Sequence, residues 1–455
     1  MFLLKKWRFL ALAVLALALL PVAAAAVPFE RYGAIISVGD RIYALVSVET
    51  GAMGTAYAPS KIREYDKYLN RLRELVLEDN SGNAARNSLS IGHHNGKLYI
   101  GSIGGVMAFG TTGDIWEVDI GAWTARQVFT EPNMMVLGLD IANDGTVCFL
   151  IGNMDTGWFP GAAMGMYFIS ADDLSIGALA QEVFRTNDML FGGAGMGVSW
   201  NEAGEVAWVM AGMRIGAFGK NGSQVFPWAQ GVGAGGNFGW PNVMSAATAD
   251  RGAFYVVTDN MFGVSTLRHI RRNPSNTAYA NTVLVTSFGG DTSVFAFETD
   301  AGRHLVLLRE YSYGPNDNIF IYDVQAGFIV PIVNVSDWGT SNIHAIATIG
   351  NYLYLATYES YEPGNPNELS GGIVQVDMNT WRVVQPSNDD GSCDGNNGGD
   401  GVGGGGDSGG SNIPDDNSSS SGCNSGAGML TLLLIACMKL LKNRRKYSNL
   451  HKHLA

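Results

Sequence analysis

The sequence predicts an all-β fold: a seven-bladed β-propeller with four antiparallel strands per blade, followed by a disordered linker and a short C-terminal membrane helix. Three observations lead there. A short strand motif recurs seven times at nearly constant spacing, a turn-then-strand pattern keeps the same count, and 60 glycines in 455 residues suit a chain with many tight turns.

The motif is an apolar residue, three further strand residues, then usually Asp at a turn. It stands as IREYD at 62–66, IWEVD at 115–119, MYFIS at 166–170, IGAFG at 215–219, LRHIR at 267–271, IFIYD at 319–323 and IVQVD at 373–377. Successive copies begin 53, 51, 49, 52, 52 and 54 residues apart. Ahead of each copy a Gly, Asn or Asp turn leads into an apolar strand, as in NGKLYIGS, DGTVCFLIG and GNYLYLATY, which suits a tight antiparallel hairpin. Before each turn lies a first apolar strand: GAIISV, SLSIGH, VLGLDIA, GMGVSW, VMSAAT, VFAFET and IHAIAT. A last strand follows the motif, as in RLRELVL, ARQVF, LAQEVF, GSQVF and WRVVQ. Residues 60–77 favour helix by propensity, but 62–66 falls in the repeat register and is read as strand. The I-x-x-x-D strand behind an Asn/Asp-Gly hairpin is similar to the diffuse YVTN, NHL and quinoprotein-like propellers. That similarity spans the body, residues 27–386, and implies a fold without a function.

The two ends differ from this body. Lys5, Lys6 and Arg8 precede an apolar run at 9–20, then Pro21 and the small residues VAAAA, the layout of a signal peptide over residues 1–26. A retained anchor is the alternative, although the run is short of the ~20 residues a spanning helix needs. Residues 387–422 are Gly, Ser and Asp with little to bury, and read as a flexible tether. Asp389, Asp390, Asp394 and Asp400 within it match no EF-hand spacing and read as solubilising charge. The tail, 423–455, carries an apolar run at 427–438 and a basic cluster of Lys439, Lys442, Arg444, Arg445 and Lys446. Such a segment pauses in a membrane with its charges in the cytoplasm. Through Ser421, Gly422, Cys423, Asn424, Gly426, the apolar run and the basic end, this tail resembles C-terminal sorting signals of the Synerg-CTERM type, and more distantly the MYXO-CTERM and GlyGly-CTERM types. The resemblance implies an envelope sorting protease as partner, processing around Gly422, Cys423 and Asn424, and delivery to the cell envelope or surface. Lys439 interrupts the apolar run early and 447–455 extend beyond the basic cluster, so an ordinary anchor helix is the other reading.

The formal charge of −12 is unevenly placed. The signal holds three cations and the segment after Cys423 six, neither with an acid, which leaves residues 27–423 at −21. A body this acidic lacks the basic footprint that nucleic acid demands. Of the four cysteines, Cys148 lies in an apolar strand pattern and reads as a buried small hydrophobe, and no C-x-x-C pair points to zinc.

Propellers bind ligands at the channel mouth, where their innermost strands begin. The polar residues expected there are Asn87 with Ser88, Asn133, Asn242, Asp291 with Thr292, Asn342 and, one step further in, His344. Such a ring suits a sugar, a peptide or a cation, while Asn and Asp also favour turns for their own backbone bonding. His344 and Asp291 are the candidates for catalysis. His93 and His94 precede an Asn-Gly hairpin and point to opposite faces of a strand, so a shared metal is not expected. No G-x-S-x-G, H-E-x-x-H or P-loop motif is present. The stretch NFGWPN at 237–242 resembles N-Y-G-W-P-N of soluble quinoprotein sugar dehydrogenases, over six residues only, and without the basic and histidine residues a quinone site needs. Trp158, Trp228, Trp240, Tyr311, Tyr313, Tyr358 and Tyr361 are read as aromatic residues of loops, able to stack on sugars or to pack between blades. The expectation is an exported binding module for a glycan, peptide or protein. No metal or cofactor is assigned, and calcium or a quinone is expected only in the alternative of a propeller enzyme, a hydrolase, lyase or quinoprotein. A third alternative is a structural component of a surface layer.

Overall fold

The computed structural model describes residues 29–386, apart from 51–56, 105–111, 133, 153–163, 187–195, 202, 212–213, 231–239, 246–252, 260–263, 273–278, 289–291, 300, 311–317, 331–337, 339–342 and 358–371. Its strands form seven four-stranded antiparallel sheets, and within every sheet the spatial order is the order along the chain. The blades cover 29–76, 88–132, 135–186, 196–230, 240–288, 292–330 and 343–386. Their first strands are Phe29–Val38, Ser88–His94, Met135–Ile141, Met196–Trp200, Trp240–Ser245, Thr292–Glu298 and Ile343–Ile349. Each packs beside the first strands of the blades before and after it, and the seventh lies beside the first, so the ring closes around a central channel.

The recurring motif is the third strand of each blade, and its physical basis is visible. Its leading apolar residue is buried in every copy: Ile62, Ile115, Met166, Ile215 and Leu267 are fully enclosed, and Ile319 and Ile373 nearly so. Its Asp closes the turn to the outermost strand. Asp66 Oδ1 accepts from the amides of Tyr68 and Asn70, Asp119 Oδ1 from Ala122, Asp323 Oδ1 from Gln325 and Ala326, and Asp377 Oδ1 from Asn379, all at 2.8–3.0 Å. In the third blade Ser170 takes this place and accepts from Asp172 N at 3.3 Å. Residues 60–77, helical by propensity, form the strands Tyr57–Asp66 and Arg71–Val76, because Ile62 and Leu77 are needed in the core between blades 1 and 2. The Asn95-Gly96 hairpin adopts φ of 47° and 73°, the left-handed pair of a type I′ turn.

Apolar packing lies between blades. Each of the seven seams has its own cluster. Leu45 and Ile62 meet Leu98 and Trp116 between blades 1 and 2, and Trp208 meets Ala253 and Ile270 between blades 4 and 5. The closing seam, between blades 7 and 1, joins Tyr354, Ala356 and Ile373 to Ile35, Ala44 and Tyr65. No blade in the described residues borrows a strand from another part of the chain, so side chains alone bridge this seam. Tyr354 Oη and Gln375 Nε2 both donate to the carbonyl of Lys67, at 2.6 and 2.9 Å.

Inner strands approach closely. A Cβ on Gly138 of blade 3 would stand 3.2 Å from the Val198 amide nitrogen and 3.3 Å from Gly197 Cα of blade 4, whereas a Cβ on Gly197 would meet nothing within 4 Å. Two carboxylates are built into the blades. Asp140 on the first strand of blade 3 accepts from Ser199 Oγ at 2.9 Å and from Trp200 N at 2.8 Å in blade 4, and burial raises its pKa. Cys148 pairs across the strand with Asp140, and burial together with that carboxylate pushes its thiol up, leaving it protonated and inert. Asp114, 5% exposed, accepts from Gln127 Nε2 at 2.7 Å, yet burial pushes its pKa from 3.8 up to about 6.

Two predictions follow from this packing. Gly138→Val should lower stability by about 1–3 kcal/mol through overpacking against backbone, while Gly197→Ala stays within about 0.5 kcal/mol, both read by denaturant unfolding. Asp114 binds its proton more tightly folded than unfolded, so its contribution to stability is full below pH 3.8 and is lost as pH rises through about 6. Asp114→Asn should remove that slope from a plot of unfolding midpoint against pH.

Candidate functional site

Because every blade is the same four-strand meander, the seven first strands start at one end of the channel. Among the described residues, three blades send ionisable side chains there. Arg309 lies on the second strand of blade 6, opposite Ser293, and is 8% exposed. Its Nη1 crosses to blade 7 and donates to the carbonyl of Ile343 at 2.9 Å, which sets the guanidinium beside His344. Arg31, near the start of the first strand of blade 1, forms an ion pair with Glu49, and both side chains are largely buried. His344 is the second residue of the first strand of blade 7. Part of its surface is open to solvent. Burial first, then the charges of Arg309 and Arg31, push its pKa down to about 4. At neutral pH the imidazole is therefore uncharged and can accept a hydrogen bond or a proton.

The neighbouring side of the mouth is committed to holding blades together. Ser47 Oγ donates to the carbonyl of Ser88 at 3.0 Å, and Ser88 Oγ donates to Ser60 Oγ at 3.0 Å, joining blades 1 and 2. Ser88 is fully buried. Asn87, 6% exposed, sits at φ 50° and its carbonyl accepts from Ile103 N at 3.2 Å. Its position is explained by the left-handed turn that starts blade 2.

Of the residues expected at the mouth, Asn87 and His344 are described in full. Asn242 is the third residue of the first strand of blade 5; Asn133, Asp291 and Asn342 lie outside the described residues, as do Gly422, Cys423 and Asn424. Two of the aromatic residues assigned to loops belong to strands instead. Trp240 opens the first strand of blade 5, paired with Thr258. Trp228 lies in the outermost strand of blade 4, edge-on to Phe184 and Phe218 at 5.0 and 5.7 Å. Gly216 makes room for it, since a Cβ there would come within 2.9 Å of the indole. His93 and His94 end the first strand of blade 2, half-buried. His94 packs over Gly145 of blade 3, and burial with the adjacent His94 lowers the pKa of His93. Among the described residues no group of three or more His, Cys, Asp or Glu is arranged to hold a metal. Arg31 and Arg309 were not anticipated. The available signal was an arginine inside otherwise apolar strands, in ERYGAIISV and HLVLLRE.

No protein-family model and no curated protein matches the chain. Solved structures do. The periplasmic gluconolactonase of Pseudomonas aeruginosa is similar with a TM-score of 0.51 and 12% identity, over 75% of this chain and 94% of that one. The β-propeller domain of the trilobed protease of Pyrococcus furiosus, which has an open velcro topology, is similar with a TM-score of 0.44 and 10% identity, over 76% and 93%. At 12% identity the likeness to the gluconolactonase shows the fold alone.

The electrostatics of the mouth predict a titration. His344 should titrate by NMR with a midpoint of about 4, and Arg309→Met should raise that midpoint by removing a neighbouring positive charge. An unchanged midpoint in the variant would show that the Arg309 charge does not set it.

Proposed function

We propose that the chain is an exported propeller that binds a ligand at the mouth of its channel and is held at the cell envelope through its C-terminal tail. The observation that supports a ligand site is the meeting of Arg31, Arg309 and His344, drawn from blades 1, 6 and 7, at the end of the channel where the first strands begin. A histidine whose pKa is shifted by its surroundings, at a channel mouth that solvent reaches, is the mark of a candidate site. The tether at 387–422 and the sorting-type tail support display away from the membrane, with an envelope protease acting around Gly422, Cys423 and Asn424. A glycan, a peptide or a protein is the class of ligand such a displayed mouth serves.

A second reading is a propeller enzyme, favoured by His344 itself: an imidazole uncharged at neutral pH is competent as a general base.

A thermal-shift panel on the purified protein, run with glycans, peptides, divalent metals and a quinone, separates the two. A ligand present at 100 times its Kd adds about 2.7 kcal/mol to the folded state, which the assay reads. Binding without turnover, weakened in His344→Ala, is the expected result. Turnover that disappears in His344→Ala or Asp291→Ala would replace the binding reading with the enzymatic one.

A further inference from the structure

We propose that the chain carries a second ligand site, for a neutral sugar, in the seam between blades 7 and 1 on the face opposite the channel mouth. The site does not depend on the mouth. First strands begin at the mouth, so the hairpin that ends each first strand and the turn that ends each third strand lie at the other end of the ring. Where blade 7 meets blade 1, these turns enclose a cavity of about 370 Å³, lined by Asp40 and Lys67 of blade 1 and by Asn351, Tyr352, Asp377 and Asn379 of blade 7. That volume lies in the range of about 300–1,000 Å³ usual for small-molecule sites. Its backbone is held firmly. Tyr354 Oη and Gln375 Nε2 fix the carbonyl of Lys67, Asp377 Oδ1 accepts from Asn379 N at 2.8 Å, and Met378 N donates to the carbonyl of Asn351 at 2.8 Å. The polar side chains are not spent in the same way. Among the described residues, the Asp40 carboxylate, the Lys67 ammonium and the side-chain amides of Asn351 and Asn379 make no hydrogen bond or ion pair with protein, and Lys67 Nζ stands only over the Tyr68 ring, 5.5 Å from its centroid.

The seam between blades 3 and 4 shows that the sequence, not the fold, leaves these groups open. Lys220 occupies the place of Lys67, directly after the repeated strand motif, and there it pairs with Asp144 in the hairpin of the preceding blade. The corresponding hairpin of blade 7 carries Gly350 and Asn351, with no acid to take up Lys67. The open groups have mixed character: carboxylates accept, an ammonium donates and amides do both. A sugar's neighbouring hydroxyls, each donor and acceptor, engage all of them, whereas an amine uses only the acceptors and an anion only the donors. Two carboxylates against one ammonium leave the lining negative, in a body of charge −21, which disfavours acidic sugars. Tyr352, half-buried against the seam's apolar cluster, adds aromatic surface for the apolar face of a pyranose. A ligand seated there touches two blades that no strand joins, so only the closed ring presents its whole site.

The test is calorimetric titration of the full chain with glucose, galactose, mannose and N-acetylglucosamine, beside glucosamine as a cation and glucuronic acid as an anion. At least one neutral sugar should bind with a Kd of about 1 mM or tighter, and about tenfold or more tighter than glucuronic acid. Asp40→Ala removes an exposed carboxylate that no protein group uses, so it should leave the unfolding midpoint in place and weaken that sugar about tenfold, the worth of one hydrogen bond to a charged group. Asn351→Asp should rebuild the ion pair that Lys220 makes with Asp144, keeping or raising the midpoint while weakening the sugar. His344→Ala should leave the binding unchanged, which separates this site from the mouth. No binding by any neutral sugar, or binding untouched by both Asp40→Ala and Asn351→Asp, overturns the inference. Binding lost only in His344→Ala assigns the sugar to the mouth and overturns the second site while the proposed function stands. Tighter binding of glucosamine or glucuronic acid than of every neutral sugar overturns the neutral sugar as its ligand.

Discussion

Seven sheets share one axis here, so their first strands must pack side by side around it. That crowding governs the rest of the molecule. It places Gly138 against the backbone of Gly197 and Val198, where a methyl group would sit tightly at 3.2–3.3 Å. Close approach at the centre splays the blades outward, so apolar area is buried in the seams between neighbours, and every seam needs its own cluster. A repeat that buries its faces only against its neighbours has no core of its own. The ring must therefore close, and here it closes on side chains: the aliphatic and tyrosine contacts of blades 7 and 1, and the doubly bonded carbonyl of Lys67.

Much of this was legible because its causes are local. The buried first residue of each third strand and the turn that follows, capped by Asp in four blades, lie four positions apart, so a pattern of five residues carried both. The strand at 57–66 was legible only through that register, since propensity alone favours a helix there. The outermost strands of blades 5 and 6, Tyr279–Phe288 and Phe328–Val330, gave no such signal. In blade 5 no Asp ends the preceding strand to mark the turn, and in blade 6 the outermost strand is three residues long. Trp228 was misplaced because the last-strand pattern GSQVF stops at Phe226 while the strand runs on to Gln230, and the space it fills comes from Gly216 on the adjacent strand.

The site was less legible than the fold. Asn87 was expected either to serve a ligand or to favour a turn, and it stands in a left-handed turn, where an amide side chain is favoured for its own reasons. His344 was found because it sits on a first strand, a position the repeat fixes. Its protonation was not readable, since it depends on Arg309, 35 positions earlier and on another blade, and on Arg31 at the far end of the chain. Nor could sequence spacing show that an arginine in HLVLLRE reaches across a seam to the backbone of Ile343.

The order of strands within the sheets has a consequence for how such a protein can be rearranged. Each blade is one uninterrupted stretch of chain, and the first and last of them are neighbours. Circular permutation at any connection between blades, with the old ends joined across the seam of blades 7 and 1, would leave all seven sheets whole. It would move the weak point of the ring to a seam of the engineer's choosing, because a seam lacking a covalent crossing is the one most readily opened. The same modularity lets a whole blade be gained or lost as a unit, at the cost of re-spacing the crowded strands around the axis. It also means that Arg31, Arg309 and His344 owe their meeting to ring closure: with the seam of blades 7 and 1 opened, His344 parts from Arg31 while Arg309 keeps its hold on Ile343.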